Sequence, residues 1–503
     1  MHGASFLKVL MTNTANNQLS QIKHIMVLMM ENRSFDNLLG WLYHDEAQRP
    51  DQPTFEGLSR NLWNPLDNYD TDGNYFIEKV PVEMNGQKKY HRGKQVPNEV
   101  DFTLPSPDPG EGFKDTNYQL YGTYEVDAVY PPEAVNIGFV NNYQKAMLYG
   151  TYAFGDAPTD PRAIMKCFTP DQTPVLSSLA KGFAVCDYYF CSIPSQTLPN
   201  RDFVHAATST GFVNNKPYAD CNAKTIFNQI EEAIADGNKD LSWSVYSGES
   251  DGKPFSLTRT IMSQLADKKY NANFKGYEQL YKDLASGNMP SYSFIEPQFS
   301  GEFQNDQHPP SDIRKGEQFM ADLYNALIKS PTWNETLFII TYDEHGGCYD
   351  HVAPPSGAKN PDPKNLPGQM GFMFNRFGVR VPTVLISPLI EPGRIFRASS
   401  YTPFDHTSII KTVQKCLGLE GYLTERDKNA PDLGDVLTLS SPRTSDLPDI
   451  TAPSCPKPIE PDHVNDLHKV VAETLQVKTG MEPKPDESTH SYIGRAYQYH
   501  FYS

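Results

Sequence analysis

The sequence predicts an α/β layered fold, a mostly parallel sheet covered by helices. Two observations carry this. Short β-rich runs at residues 24–30, 183–190, 241–247, 292–296, 337–343 and 382–387 are mostly continuous in apolar residues rather than alternating, the pattern of strands buried on both faces. Between them fall segments with helical periodicity, and strands alternating with helices define the layered α/β class. Composition agrees. The chain has 503 residues, 38% of them hydrophobic, with 28 Tyr and 27 Phe, too aromatic for a disordered chain. Its 41 prolines indicate long ordered loops around a core.

Taken in order, the run 24–30 opens the sheet and ends at Glu31-Asn32-Arg33-Ser34-Phe35-Asp36. Residues 44–135 follow as a polar stretch rich in Pro, Asp, Asn and Gly. It reads as a long insertion crossing the surface near the site, with a small subdomain as the alternative. Thr173-Pro174 reads as a cap and first helical residue, and Gly182 as the stop, of a helix before the run 183–190. Residues 202–210 can form a helix whose N-terminus holds Thr197. Phe319, Met320, Leu323 and Leu327 sit at helical spacing within 311–329, and Ile409, Ile410, Val413 and Leu417 do so up to Gly418. Residues 350–380 form a second Pro/Gly/Asn-rich insertion. The catalytic domain is expected over 20–440. Residues 441–503 are an extension on the same domain, Pro-rich to 461 and helical at 464–476.

The formal net charge is −17 and there is no long Lys/Arg run, which argues against nucleic acid as a partner. No apolar run approaches the roughly 18–20 residues of a membrane-spanning helix, and residues 6–11 are too short for a secretory h-region. Seven cysteines do not indicate a disulfide framework. Cys186 and Cys191 are expected as buried thiols, with a pair as the alternative.

Chemistry concentrates where strands end, the position at which open α/β sheets bind ligands. Glu31 and Asn32 offer hard oxygen ligands, although Asn32 or Ser34 also suits a helix cap. In Ser192 to Arg201, Thr197 lies where backbone N–H groups and the helix dipole favour an anion. A metal-bound hydroxyl there becomes a nucleophile, yet Thr197 taken alone reads first as a helix cap. Asp343-Glu344-His345 ends an apolar strand with three ionisable residues in a row, followed by Gly346-Gly347, which free the backbone to turn. The carboxylates suit Ca, Mg or Mn, and the nearby histidines leave Zn open. His308 in His308-Pro309-Pro310-Ser311-Asp312 is a candidate phosphate contact or general acid. His406, at the start of the last helix, is either a site residue or helix-start packing.

Together Glu31-Asn32-Arg33-Ser34-Phe35-Asp36, Thr197-Leu198-Pro199-Asn200-Arg201, His308-Pro309-Pro310-Ser311-Asp312 and Thr341-Tyr342-Asp343-Glu344-His345-Gly346-Gly347 with Tyr349-Asp350-His351 resemble, in order over residues 22 to about 420, a known phosphoesterase family. It contains the non-specific or phosphatidylcholine-hydrolysing phospholipases C and related acid phosphatases. The resemblance implies an alkaline-phosphatase-like α/β/α sandwich around a mixed sheet. It implies one or more divalent ions held by Glu31, Asn32, Thr197, Asp343 and Glu344. Thr197 would be the nucleophile of a phospho-threonine intermediate, with His308 and His345 around the phosphate. Asn200, Arg201, His351 and His406 are the expected substrate contacts. Sulfatases of the same superfamily carry Cys-x-Pro-Ser-Arg where this chain has Thr-x-Pro-Asn-Arg, and Thr cannot become formylglycine, so a phosphoryl acceptor is favoured. One departure stands out: family members often have His in a Pro-x-Pro-Gly-His context, where this chain reads Asp108-Pro109-Gly110-Glu111. The implied substrate is a phospholipid cleaved to diacylglycerol and a phosphorylated head group, compatible with peripheral membrane contact. An acid phosphatase on monoesters is the runner-up, and a catalytically silent binding protein of the same fold a further alternative. Secretion or the cell surface follows from resemblance alone, with a cytoplasmic location as the alternative.

Overall fold

The computed structural model describes residues 18–45, 54–86, 89–91, 94–96, 100–149, 160–215, 221–250, 253–301, 303–454 and 464–502. Its centre is an eight-stranded sheet. In chain order the strands are β1 (His24–Met30), β2 (Ala184–Val185), β3 (Trp243–Ser247), β4 (Phe274–Gly276), β5 (Tyr292–Ile295), β6 (Thr336–Tyr342), β7 (Val384–Ile386) and β8 (Arg394–Ile395). Across the sheet they run β4-β3-β5-β1-β6-β7-β2-β8. Only β7 is antiparallel to its neighbours β6 and β2; the other pairings are parallel. This is the mixed, mostly parallel sheet expected of the class. Ile25 to Met30 and every residue of β6 are buried, which is why these strands read as unbroken apolar runs.

Among the described helices, two packed groups stand out. The first joins α2 (Pro174–Gly182), the helix Tyr277–Ser286 and α4 (Arg314–Leu327). The second joins α3 (Thr197–Ala206), the helix Ile226–Ala235 and α5 (His406–Leu417). α2 begins with Pro174 at its first position and α5 stops at Gly418 in the left-handed conformation (φ 63°), the ends that proline and glycine specify.

The expected strand 183–190 forms only at Ala184–Val185. The ladder breaks at Asp187, whose carbonyl accepts from Arg380 Nη1 at 2.8 Å rather than from a neighbouring strand, and beyond it Tyr189 and Phe190 make single bridges to Phe404 and Arg380. Cys186 and Cys191 are buried free thiols. Within 44–135 the described residues carry more regular structure than the composition suggests. They form a hairpin, Trp63–Tyr69 with Tyr75–Pro81, and a helix, Phe113–Tyr121. The helix expected at 464–476 spans Asp466–Thr479, and a further helix follows at Thr489–Tyr502. Leu475 and Tyr497 from these two helices are buried in the main apolar core.

Candidate active site

The site begins with register. β1 and β6 are adjacent and parallel, with Met30 opposite Tyr342, so the residues after each strand, Glu31-Asn32 and Asp343-Glu344, emerge side by side at the carboxyl edge. The chain leaves β1 through Asn32 at φ 54°, a left-handed conformation that Asn tolerates better than most residues. Its N–H donates to Asp343 Oδ1 at 3.0 Å. After β6 the turn closes tightly. Gly346 (φ 59°) and Gly347 (φ 66°) are left-handed, and a Cβ at Gly346 would stand 2.2 Å from the Asn32 carbonyl oxygen, one at Gly347 2.5 Å from that of Gly110. Glycine is required at both positions by conformation and by space.

The third contribution is α3. Thr197 is its first helical residue and Gln196 its N-cap, which makes no side-chain cap bond. Asn215 Oδ1 accepts the Leu198 N–H instead, at 2.8 Å. The Thr197 hydroxyl is thus not consumed in capping. It is buried and reaches Glu31 Oε2 and Asn32 Oδ1, each at 3.4 Å. One turn on, Arg201 pairs with Glu31 Oε1, and its Nε lies 3.3 Å from Asp343 Oδ2. Arg201 therefore joins the two carboxylates.

Two imidazoles are placed by their own hydrogen bonds. His308 Nδ1 is 2.6 Å from the Pro309 carbonyl oxygen. A carbonyl only accepts, so Nδ1 carries the proton and Nε2 accepts from Asn32 Nδ2 at 3.0 Å. His345 Nε2 donates to Gln119 Oε1 at 2.7 Å, because Gln119 Nε2 is already donating to the Gly110 carbonyl and to Asn142. His345 Nδ1 lies 3.1 Å from Glu344 Oε2 but makes no hydrogen bond there. Burial pushes its pKa down to about 3, so the ring is neutral and this contact is not an ion pair.

The sequence-derived residues divide as follows. Glu31, Asn32, Thr197, Arg201, Asp343, Glu344, His308 and His345 are drawn into one buried cluster. His406 lies behind it, donating from Nε2 to the Asp343 carbonyl at 2.6 Å. The side chain of Asn200, on α3, is occupied by the loop that precedes the helix, bonding the Ile193 N–H and the carbonyls of Ile193, Ser195 and Gln196. His351 stands in a separate network with Asp36, which Arg380 ties to Asp350.

Sequence reasoning passed over Asp108 and Gln119, and took Glu111 only as a departure. Glu111 is buried and accepts from Asn32 Nδ2 and from Gln196 Nε2. Asn32 is thereby oriented: its nitrogen faces Glu111 and His308, which leaves Oδ1 toward Thr197. Asp108, Glu111 and His308 offer donor atoms all within 4.8 Å of one another. The signal was faint, two acids bracketed by Pro and Gly inside a long polar insertion.

The electrostatics favour a cation. Burial pushes the Glu31 carboxyl well up; Arg201 opposes this and Asp343 adds to it. Burial likewise pushes Glu344 up, with Asp343 adding, and it lifts Asp306 to about 6. Glu344 Oε1 is buried without a hydrogen bond. Buried carboxylates facing one guanidinium are costly to ionise, and an all-oxygen set of carboxylates, a carboxamide and a hydroxyl is the chemistry a hard divalent ion prefers. The chemistry of Glu31, Asn32, Thr197, Asp343 and Glu344 fits such an ion, and these five are its candidate holders.

The model of the Phosphoesterase family matches residues 22–420. Non-specific phospholipase C3 of Arabidopsis thaliana is 36% identical over 457 residues, covering 87% of this chain and 77% of its own. Phospholipase C B of Mycobacterium tuberculosis (strain H37Rv) is 26% identical over 467 residues, covering 86% of this chain and 81% of its own. Among solved structures, a protein in the alkaline phosphatase superfamily from Vibrio parahaemolyticus aligns over 67% of this chain and 83% of its own at 14% identity, with a TM-score of 0.29.

Proposed function

Because the chain belongs to the Phosphoesterase family and is therefore a hydrolase of phosphoric ester bonds, we propose that it is a phospholipase C. It would cleave phosphatidylcholine-type lipids to diacylglycerol and a phosphorylated head group. Relatives named phospholipase C over most of their length support the substrate class. The observation that carries the mechanism is the buried Thr197 hydroxyl. It is free of capping, opens a helix, and lies between a carboxylate and a carboxamide at the end of a central strand.

Glu31, Asn32, Thr197, Asp343 and Glu344 would hold a divalent ion, which supplies positive charge to lower the Thr197 pKa and neutralise phosphate oxygens. The N-terminus of α3 adds positive potential where the phosphate would sit. Thr197 Oγ1 attacks phosphorus as the bond to the glycerol oxygen breaks, giving a phosphodiester on Thr197. Water then forms the new P–O bond, and Thr197 leaves with its proton restored. His308 is the proton carrier: with Nδ1–H fixed on the Pro309 carbonyl, Nε2 takes the Thr197 proton and passes it to the departing glycerol oxygen, then takes one from water and returns it to Thr197. Arg201 orients Glu31 and Asp343, and Glu111 orients Asn32.

Side-by-side assay of a choline phosphodiester and a chromogenic phosphomonoester tests the reading. Faster turnover of the diester is expected. A monoester turned over much faster would make the protein an acid phosphatase.

A further inference from the structure

We propose that the outward face of the hairpin Trp63–Tyr69 / Tyr75–Pro81 docks the protein on a zwitterionic, choline-bearing phospholipid surface. This rests on the phospholipase reading for its lipid class and extends it by naming the surface that meets the lipid.

Side chains alternate along a strand, so the register sorts the hairpin into two faces. Asn64 opposite Val80, Leu66 opposite Glu78 and, near the tip, Asn68 opposite the exposed Phe76 lie on one face; Trp63 opposite Pro81, Pro65 opposite Lys79, Asp67 opposite Ile77 and Tyr69 opposite Tyr75 lie on the other. The first face packs inward. Asn64, Leu66 and Val80 are buried, and Asn64 bonds the Asn136 carbonyl and the Val140 N–H. The second is open, with Trp63 44%, Tyr69 67%, Tyr75 55% and Ile77 58% exposed. The solvent side of an antiparallel ribbon is ordinarily polar; this one carries a tryptophan, two tyrosines, an isoleucine and two prolines. The other tryptophans, Trp41, Trp243 and Trp333, are all buried. A contiguous exposed apolar patch marks a binding surface, and Trp and Tyr are the side chains that settle at lipid headgroup level.

Charge selects the occupant. The outward face carries Asp67 and Lys79, the tip adds Asp70 and Asp72, and Lys79 Nζ lies over the Trp63 ring at 4.4 Å from its centroid. With no basic excess here and −17 on the chain, an anionic leaflet is repelled, and so is a second copy of this chain. A quaternary ammonium is attracted. The Tyr69 and Tyr75 rings stand 5.8 Å apart at 66°, and the Tyr75 hydroxyl donates to Asp67 Oδ1 at 2.7 Å, which sets aromatic faces beside a carboxylate. The hairpin is also wired to the catalytic end of the sheet. Asn136, whose carbonyl accepts from Asn64, donates to the Asp350 and Val352 carbonyls at 2.8 and 3.0 Å, just beyond the Asp343–His345 turn.

The test uses the full chain, phosphatidylcholine vesicles and phosphatidylglycerol vesicles. Trp63 is the exposed fluorophore, so phosphatidylcholine vesicles are expected to shift emission to the blue, and Trp63→Phe to remove the shift. A combined Trp63→Ser, Tyr69→Ser, Ile77→Ser variant leaves the inward face and the catalytic cluster untouched. It is expected to lose vesicle binding and turnover of vesicular phosphatidylcholine on the order of tenfold or more. Its turnover of water-soluble nitrophenylphosphocholine should be unchanged, which also reports an intact fold. Unchanged vesicle binding by the combined variant, a blue shift that persists in Trp63→Phe, or equal binding of wild-type protein to phosphatidylglycerol, overturns the proposal. Failure of wild-type protein to hydrolyse any choline diester overturns the phospholipase reading instead, while vesicle binding still decides the docking face.

Discussion

Glu31, Asp343 and Glu344 share a space with Arg201 in which no side chain reaches solvent. Burial and mutual repulsion raise Glu31 and Glu344, so protons compete with any cation for these oxygens. Metal affinity should therefore rise with pH as the carboxyls ionise. Asp343→Asn removes one charge while keeping an acceptor for the Asn32 N–H. The expected outcome is a fall in bound metal of about tenfold or more, read by elemental analysis of purified protein. Unchanged metal content would remove Asp343 from the set of holders. Glu111 shows how a departure from a family pattern becomes intelligible only in three dimensions. A carboxylate there accepts from Asn32 Nδ2 and turns Asn32 Oδ1 toward Thr197, an orienting role that no linear spacing conveys.

The turn after β6 is the element on which the site depends most. Gly346→Ala would hold alanine at φ 59°, costing roughly 1–2 kcal/mol, and would drive its Cβ into the Asn32 backbone. The expected result is a lowered thermal midpoint together with loss of turnover, measured by calorimetry and diester assay. The network beside it links two further segments, since Asp36 from α1 (Phe35–Leu39) holds His351 while Arg380 bridges Asp36 and Asp350. Burial opposes charge on His351, but Asp36 outweighs it and raises the ring to about 9. A raised histidine contributes stability that is full below its ordinary pKa of about 6.5 and is lost as pH rises through about 9. Asp36 is depressed against its own burial, by His351 and Arg380, so its contribution is lost only in acid. Wild-type protein should therefore lose roughly 2 kcal/mol between pH 6.5 and 9.5 that His351→Gln does not lose, as seen in denaturant midpoints against pH. Parallel curves for the two proteins would show that His351 is not charged in the fold.

Across the chain, the strands legible from sequence were those buried on both faces. β1 and β6 are seven residues each, long and unbroken enough for the apolar run to set their ends almost to the residue. The run 183–190 misled because apolarity there reflects burial without a continuous ladder: the Asp187 carbonyl is taken by Arg380 and only isolated bridges follow at Tyr189 and Phe190. The insertion hid its hairpin because Trp63, Tyr69, Tyr75 and Ile77 face outward, where the alternation rule expects polar residues. For the site, residues directly after strands were legible, since strand ends are where such folds bind ligands. Asp108, Glu111 and Gln119 were not, because they reach the cluster from a distant loop and helix with no periodicity to announce them. No helix among the described residues is long and apolar enough to cross a membrane.

The central claim is that Thr197 takes the phosphoryl group. Asn215, not Thr197, takes the Leu198 N–H at the start of α3, so Thr197→Ala should change stability by less than about 1 kcal/mol and leave the carboxylates in place. The direct measurement is rapid acid quench of wild-type protein during turnover of a choline diester, with mass spectrometry of the peptide containing Thr197. The account predicts a phosphodiester adduct on Thr197. In Thr197→Ala it predicts no adduct and turnover down at least about a thousandfold, with the protein still folded. A Thr197→Ala protein with wild-type turnover, or an adduct on another residue, would contradict it.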